Sequence, residues 1–301
     1  MQTPTLRQLQ FLVAIADTGS FSRAAELCHV TQPTLSAAIK DIEGLLDVQL
    51  VERHARGTML TSAGEIAATR AKTVLASAQD LVAATRQVAS PLSGDFRLGA
   101  IPTVAPFLLP SVLRPLRSAY GNLRLFIRED TTDRLLEDLR TRTLDAALIA
   151  LPWHAPGIDV ETLFEDEFMI VAPSDHTLAR SGPHTPGELL DENILLLEDG
   201  HCLRDHAVKL CNLPAQRERA DVTATSLLTL AYMVEGGLGV SMLPRLAVDA
   251  GLTKGMDLHV SQFKPPMVGR EIGIAWRAGS PREEEARLVG QMVKRFKPPG
   301  S

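Results

Sequence analysis

Cys202 and Cys211 of this 301-residue chain lie in the segment richest in reactive side chains, Glu198-Asp199-Gly200-His201-Cys202-Leu203-Arg204-Asp205-His206 and onward. Gly200 permits a tight turn, which predicts Cys202 near the start of a short helix running toward Cys211. A helix N-terminus and the neighbouring Arg204 both favour thiolate over thiol. Peroxides oxidise a thiolate to a sulfenic acid, which a second thiol can resolve to a disulfide. If 202–211 is helical, the two Cα atoms stand about 13 Å apart, whereas a disulfide needs less than about 7 Å. Bond formation would then have to refold the segment. Other readings use the same residues. Both cysteines could be small buried side chains. His201, Cys202, His206 and Cys211 could bind zinc, although structural zinc cysteines usually come as CxxC pairs. Cys202 could be the nucleophile of an enzyme such as a thiol peroxidase, or both cysteines could be incidental to a sensor of a small organic effector.

The elements that must position these residues belong to a two- or three-unit chain. The composition, 45% hydrophobic and 22% charged, is that of a globular protein and excludes wholesale disorder. Three cysteines do not make a disulfide scaffold. The start MQTPTLRQLQ does not read as a signal peptide, and no apolar run approaches the roughly 20 residues of a membrane span. The expectation is a soluble, cytoplasmic protein without a membrane partner. The net charge of −5 gives no support to nucleic-acid binding, and residues 1–90 are neutral overall. Any DNA contact must come from local arrangement.

That arrangement is present in the first sixty residues. Leu6, Leu9, Val13 and Ala16 recur at helical spacing, and Gly19 ends the helix. Ser20 caps a second helix with Phe21, Ala24, Ala25 and Cys28 on one apolar face, which predicts an inert, buried Cys28. Thr31 caps a third helix with Pro33 in its first turn. It buries Leu35, Ala38, Ile39, Ile42, Leu45 and Leu46 and presents Gln32, Thr34, Ser36 and Lys40. Two short helices across a tight turn suit major-groove reading, with Gln32, Thr34 and Ser36 facing base edges and Pro33 stiffening the approach. Val48–Val51 and Thr58–Leu60 read as strands around a tip carrying Arg53 and Arg56, a wing able to grip phosphates or the minor groove. A solvated three-helix bundle is the bland alternative.

Thr61 or Ser62 then caps a long helix, about 63–89. Ala67, Val74, Leu81 and Val88, interleaved with Ala71, Ala78 and Thr85, form a heptad seam suited to helix pairing and dimerisation. After a hinge at Ser90-Pro91-Leu92-Ser93-Gly94, strand and helix signals alternate. Strands are expected at Phe96–Ile101, Leu123–Arg128, Ala146–Ala150, Glu167–Ala172, Ile194–Leu197, Gly239–Leu243 and Glu271–Arg277. Helices are expected at Val104–Tyr120 and Thr132–Arg140, from Ser226, and at Pro281–Lys297. This predicts an α/β unit with a mainly parallel sheet. Thr103 and Thr132, each just after a strand, are placed to line a cleft between two lobes.

The run FSRAAELCHVTQPTLSAAIKDIEGLLDVQLVERHARGTMLTSAGE resembles the DNA-binding region of LysR-type transcriptional regulators, departing at Val51 where the family usually has Phe. GHCLRD with a second cysteine nine residues after the first resembles the family's hydrogen-peroxide-sensing branch. So do IPTVAPFLLP, EDTTDRLLEDL, ATSLLTLAYMVEGGLGVSMLP and REIGIAWRAGSP, so the likeness covers nearly the whole chain. The resemblance implies a winged helix-turn-helix over 1–60, a linker helix and hinge over 61–92, and a regulatory domain over 93–301 like periplasmic solute-binding proteins. Lobe I would hold about 93–163 and 266–301, and lobe II about 164–265. It further implies a transcription regulator, not an enzyme, without cofactor or metal. Cys202 would be peroxidatic and Cys211 resolving, with Thr103, Thr132, His201, Asp205 and Arg270 forming or supporting the peroxide pocket. Double-stranded DNA, hydrogen peroxide, RNA polymerase and further copies of the chain, as dimer or tetramer, are the implied partners. Asn212-Leu213-Pro214-Ala215-Gln216 is not family-like.

Overall fold

The computed structural model describes residues 3–54, 57–87, 91–153, 155–180, 182–198, 203–204, 223–266 and 268–298, with backbone only for 53–54, 57, 79–80 and 83–87. The chain divides near residue 88 into two compact units.

The first unit begins with α1 (Leu6–Thr18), which opens on a reciprocal Thr5–Gln8 capping box and ends at Gly19 in the left-handed conformation, φ 61°. Its core-facing stripe is Phe11, Leu12, Ala14 and Ile15. The expected stripe of Leu6, Leu9, Val13 and Ala16 lies to one side of this. Leu6 is exposed and the other three are half-buried, because the face that α1 turns toward α2, α3 and α4 carries Phe11, Leu12, Ala14 and Ile15. Ser20 caps α2 (Phe21–Leu27) and Thr31 caps α3 (Gln32–Leu46), each accepting a backbone N–H three residues on. α3 buries Leu35, Ala38, Ile39 and Ile42. Leu46 is exposed and Leu45 half-buried, since the helix runs out past its supporting helices.

The wing consists of β1 (Val51–His54) and β2 (Gly57–Leu60), antiparallel with Val51 opposite Leu60 and His54 opposite Gly57. β1 starts three residues later than Val48 because a side chain occupies the preceding backbone. Oε1 of Glu43 accepts the N–H groups of Leu50 (2.8 Å) and Val51 (3.1 Å). Thr61 accepts the Gly64 N–H at the start of α4 (Ser62–Gln87) and donates to the Gln49 carbonyl. The first half of α4 packs on its own unit, with Ala68 and Ala71 buried. Ala71 is therefore core, not seam, whereas Val74 and Leu81 stand exposed one heptad apart.

The second unit has one mixed sheet of β3 (Gly94–Ala100), β4 (Leu123–Glu129), β5 (Ala146–Leu151), β6 (Ile158–Pro173), β9 (Ser241–Pro244), β10 (Leu258–Gln262) and β11 (Gly269–Arg277). β7 (Leu196–Leu197) and β8 (Thr223–Ala224) form a separate parallel pair. Within the mixed sheet, β3 runs parallel to β4 and β5; β11 pairs antiparallel with β5 and β6, and β6 with β9 and β10. The expected mainly parallel sheet is corrected by β6, whose 16 residues extend well upstream of Glu167. Helices α5 (Ala105–Ala119), α6 (Thr132–Arg140), α7 (Leu227–Glu235), α8 (Arg245–Asp249) and α9 (Glu283–Phe296) belong to this unit, with 3-10 turns at Thr177–Arg180 and Pro186–Leu189.

Two apolar cores result. One gathers Phe96, Leu98, Leu108, Leu135, Ile149, Phe164, Ile272, Trp276 and Val289; the other gathers Phe168, Ile170, Leu197, Leu203, Leu230, Leu243 and Val268. β6 runs through both, paired with β11 where one core meets the other. Gly269 lets these strands approach closely: a Cβ there would lie 2.6 Å from the Asp166 carbonyl oxygen. At the start of the unit, buried Glu285 on α9 accepts the Leu92 N–H at 2.8 Å and is held by Arg282.

Glu43→Ala strips two backbone N–H groups of their acceptor. It should destabilise the first unit by about 1–3 kcal/mol, measured by denaturant unfolding, and leave the unfolding of the second unit unchanged.

Candidate functional site

In the first unit, α3 is amphipathic around its own axis. Gln32, Pro33, Thr34 and Lys40 are exposed and Ser36 is half-buried, on the side away from Leu35, Ile39 and Ile42. Oε1 of Gln32 accepts from Ser22 Oγ of α2 at 3.2 Å, which ties the opening of α3 to its neighbour. The Thr31 and Thr34 hydroxyls share a hydrogen bond of 2.7 Å. Arg53 lies on β1 opposite Thr58; Arg56 lies outside the described residues. Cys28 is half-buried, not sealed in the core, and its carbonyl accepts from Arg7 at 3.1 Å.

In the second unit, Thr103 follows β3 in the turn that opens α5, and Thr132 is the first residue of α6 after β4. β3 and β4 are parallel with Ala100 opposite Glu129, so each threonine stands three residues beyond the end of neighbouring strands. Both are buried, at 2% and 3% exposure. The Thr132 hydroxyl has no hydrogen-bond partner among the described residues.

Arg270 sits on β11 directly opposite Asp166 on β6. Oδ2 of Asp166 accepts from Nε of Arg270 at 3.0 Å and is ion-paired with Nη2 at 3.0 Å, with both side chains fully buried. Oδ1 of Asp166 accepts the Leu246 N–H of α8 at 2.9 Å. Nη1 of Arg270 donates to the Thr103 hydroxyl at 2.8 Å and Nη2 to the Thr103 carbonyl at 3.2 Å, and the guanidinium carbon lies 6.0 Å from the Phe168 ring centroid. The structure thus brings together Thr103 and Arg270 of the expected pocket and adds Asp166, which the sequence alone does not single out. The alternation Phe164-Asp166-Phe168-Ile170 holds a signal, since on a strand it puts Asp166 on the same face as buried apolar residues.

His201, Cys202, Asp205 and Cys211, and the zinc alternative that adds His206, lie outside the described residues. Next to them, Leu203 is buried in the second core and Arg204 is 9% exposed, its Nη1 donating to the Leu197 carbonyl at 3.1 Å. Among the described residues no group of three or more His, Cys, Asp or Glu could hold a metal ion, and no helix is long and apolar enough to cross a membrane.

The family described as "LysR substrate binding domain" matches residues 89–297, and "Bacterial regulatory helix-turn-helix protein, lysR family" matches residues 6–65. A "Probable hydrogen peroxide-inducible genes activator" of Streptomyces viridosporus is 41% identical over 285 residues, which cover 94% of this chain and 91% of that protein. A full-length OxyR variant of Pseudomonas aeruginosa superposes with a TM-score of 0.78 at 34% identity, covering 97% of this chain and 98% of its own. A hydrogen-peroxide-bound OxyR mutant of Corynebacterium glutamicum superposes with a TM-score of 0.68 at 35% identity, covering 98% of this chain and 93% of its own. Two successive family matches that account for nearly the whole chain, over a helix-turn-helix unit and a two-core α/β unit, make this protein a member of the LysR family of bacterial regulatory helix-turn-helix proteins.

Proposed function

We propose that this LysR-family protein is a cytoplasmic transcription activator switched by hydrogen peroxide. The observation that carries the reading is the pair of buried threonine hydroxyls at neighbouring strand ends. Thr132 has no partner among the described residues, and Thr103 accepts from Arg270. A buried hydroxyl with unused hydrogen-bonding capacity is costly, and a small ligand with two oxygens would satisfy both. The likeness to an inducible-genes activator named for hydrogen peroxide and to a peroxide-bound OxyR supports the same ligand.

In this reading the units are 1–60, 61–92 and 93–301, with lobes at about 93–163 plus 266–301 and at about 164–265. The Cys202 thiolate attacks one peroxide oxygen: an S–O bond forms, the O–O bond breaks, and the departing hydroxide takes a proton to leave as water. Thr103, Thr132 and His201 hold the peroxide oxygens, while Asp205 and Arg270 support them. The Cys211 thiol then attacks the Cys202 sulfenic acid, forming the disulfide and releasing a second water. Dimers paired through α4, assembled as tetramers, would carry this change to the winged helices on promoter DNA and to RNA polymerase. Gln32, Pro33, Thr34, Ser36 and Lys40 of α3 face the major groove, and Arg53 and Arg56 of the wing face phosphates or minor groove.

Mass spectrometry before and after stoichiometric peroxide tests the switch. The Cys202–Cys211 disulfide should form, Cys202→Ser should abolish the response, and Cys211→Ser should stall at the sulfenic acid and over-oxidise on longer exposure. A Cys202 thiol that survives peroxide returns the protein to the effector-binding relatives. Stoichiometric zinc lost together with the response in Cys202→Ser would establish a metal sensor instead.

The DNA face has its own test. Arg53→Ala with Arg56→Ala should weaken binding to all sequences and lower the salt slope by about 1 per lost phosphate contact. Gln32→Ala or Ser36→Ala should change sequence preference at a nearly constant salt slope. An unchanged salt dependence in the double arginine variant removes the wing from the interface.

A further inference from the structure

We infer that Asp166 is a positioning residue of the peroxide reaction, acting through Arg270 to fix the direction in which the Thr103 hydroxyl donates. The inference rests on the peroxide reading above and deepens it. Arg270 is a donor only, so its Nη1 contact at 2.8 Å makes the Thr103 oxygen the acceptor of that bond. The hydroxyl proton must then point away from the guanidinium, which leaves it for a different acceptor. Nη2 of Arg270 also holds the Thr103 carbonyl, at 3.2 Å, so the turn that carries the hydroxyl is fixed at two points. A charged donor on a hydroxyl oxygen polarises its O–H, making it a stronger donor to whatever ligand it meets.

Arg270 can serve this role only while its own charge is balanced and its plane is fixed. Asp166 does both: one carboxylate oxygen accepts from Nε and is ion-paired with Nη2, and the other is locked by the Leu246 N–H. With both side chains fully buried, bulk water cannot readily replace either partner. Asp166 is thus three hydrogen bonds removed from the ligand, and its effect reaches the ligand through one hydroxyl. The hydroxyl so oriented favours a ligand that offers an oxygen lone pair, as a hydroperoxide does.

Two reactions of Cys202 in full-length protein separate this role from a structural one. Oxidation by hydrogen peroxide needs the oriented hydroxyl, whereas alkylation by iodoacetamide needs only an accessible thiolate. The wild-type oxidation rate is read first. If it does not exceed that of free cysteine, the peroxide reading itself fails and takes the inference with it. Given a fast wild type, Asp166→Asn should slow oxidation about tenfold while the pH profile of alkylation stays where it was. Combining Asp166→Asn with Thr103→Val should be no slower than Thr103→Val alone, because the two act in series. Oxidation at the wild-type rate in Asp166→Asn, a further slowing in the double variant, or alkylation falling in step with oxidation each overturns the inference. Should Asp166→Asn fail to fold, Asp166→Glu keeps the buried charge paired while shifting the carboxylate from its place on Arg270 Nε, and should slow oxidation without changing alkylation. It keeps an acceptor for the Leu246 N–H and is judged by the same ratio of oxidation to alkylation.

Discussion

The regulatory unit depends on one cross-strand pair. Asp166 on β6 and Arg270 on β11 face each other where one apolar core gives way to the other. On one side stand Phe164 and Ile272, on the other Phe168 and Val268. Burying a full carboxylate and a full guanidinium there is expensive, and removing either partner alone leaves a lone buried charge at a cost of about 3–5 kcal/mol. A hydrophobic pair would hold the strands as well or better. What it could not do is present hydrogen-bond donors to the β3–α5 turn. The choice of ions at this crossing makes sense as an orientation device, fixed by the Leu246 N–H and the close approach at Gly269.

The same division of labour recurs on a smaller scale in the first unit. Glu43 reaches from α3 to the backbone of Leu50 and Val51, so α3 and the base of the wing share a carboxylate. Thr61 joins the wing's approach to the start of α4 by bonding Gln49 and Gly64. Each link is a polar side chain satisfying backbone groups between elements that apolar packing alone would let slide.

Much of this is legible in the sequence, and the departures have physical causes. Caps announce themselves: Ser20, Thr31 and Ser226 open their helices where the side-chain chemistry demands, and Gly19 closes α1. α6 lies at the expected Thr132–Arg140 because its apolar period is clean. The stripe of α1 differs from the expected one, since apolar residues occur nearly all round the helix and tertiary competition decides which are buried. β1 begins three residues later than expected because nothing local reveals that Glu43 will claim the Leu50 and Val51 N–H groups. A mainly parallel sheet is the wrong expectation because alternating strands and helices describe only β3, β4 and β5. The long β6 and its partner β11 meet across 104 residues of sequence at Asp166 and Arg270, and no short window of sequence contains both. Arg270 stands out through its family motif, whereas Asp166 is marked only by its place in the alternation Phe164-Asp166-Phe168-Ile170.

Thr103 belongs to the turn above the first core, while Leu203, the described residue adjoining Cys202, is buried in the second. The proposed switch would thus draw on both cores, Thr103 above one and the chain at Leu203 in the other, and would require that the two keep their alignment. Chemical sensitivity therefore becomes a gauge of tertiary order. On the proposed function, loosening the crossing strands by heat, denaturant or a distant cavity would blunt the response before the helices melt, so that a damaged copy would fall silent instead of signalling falsely.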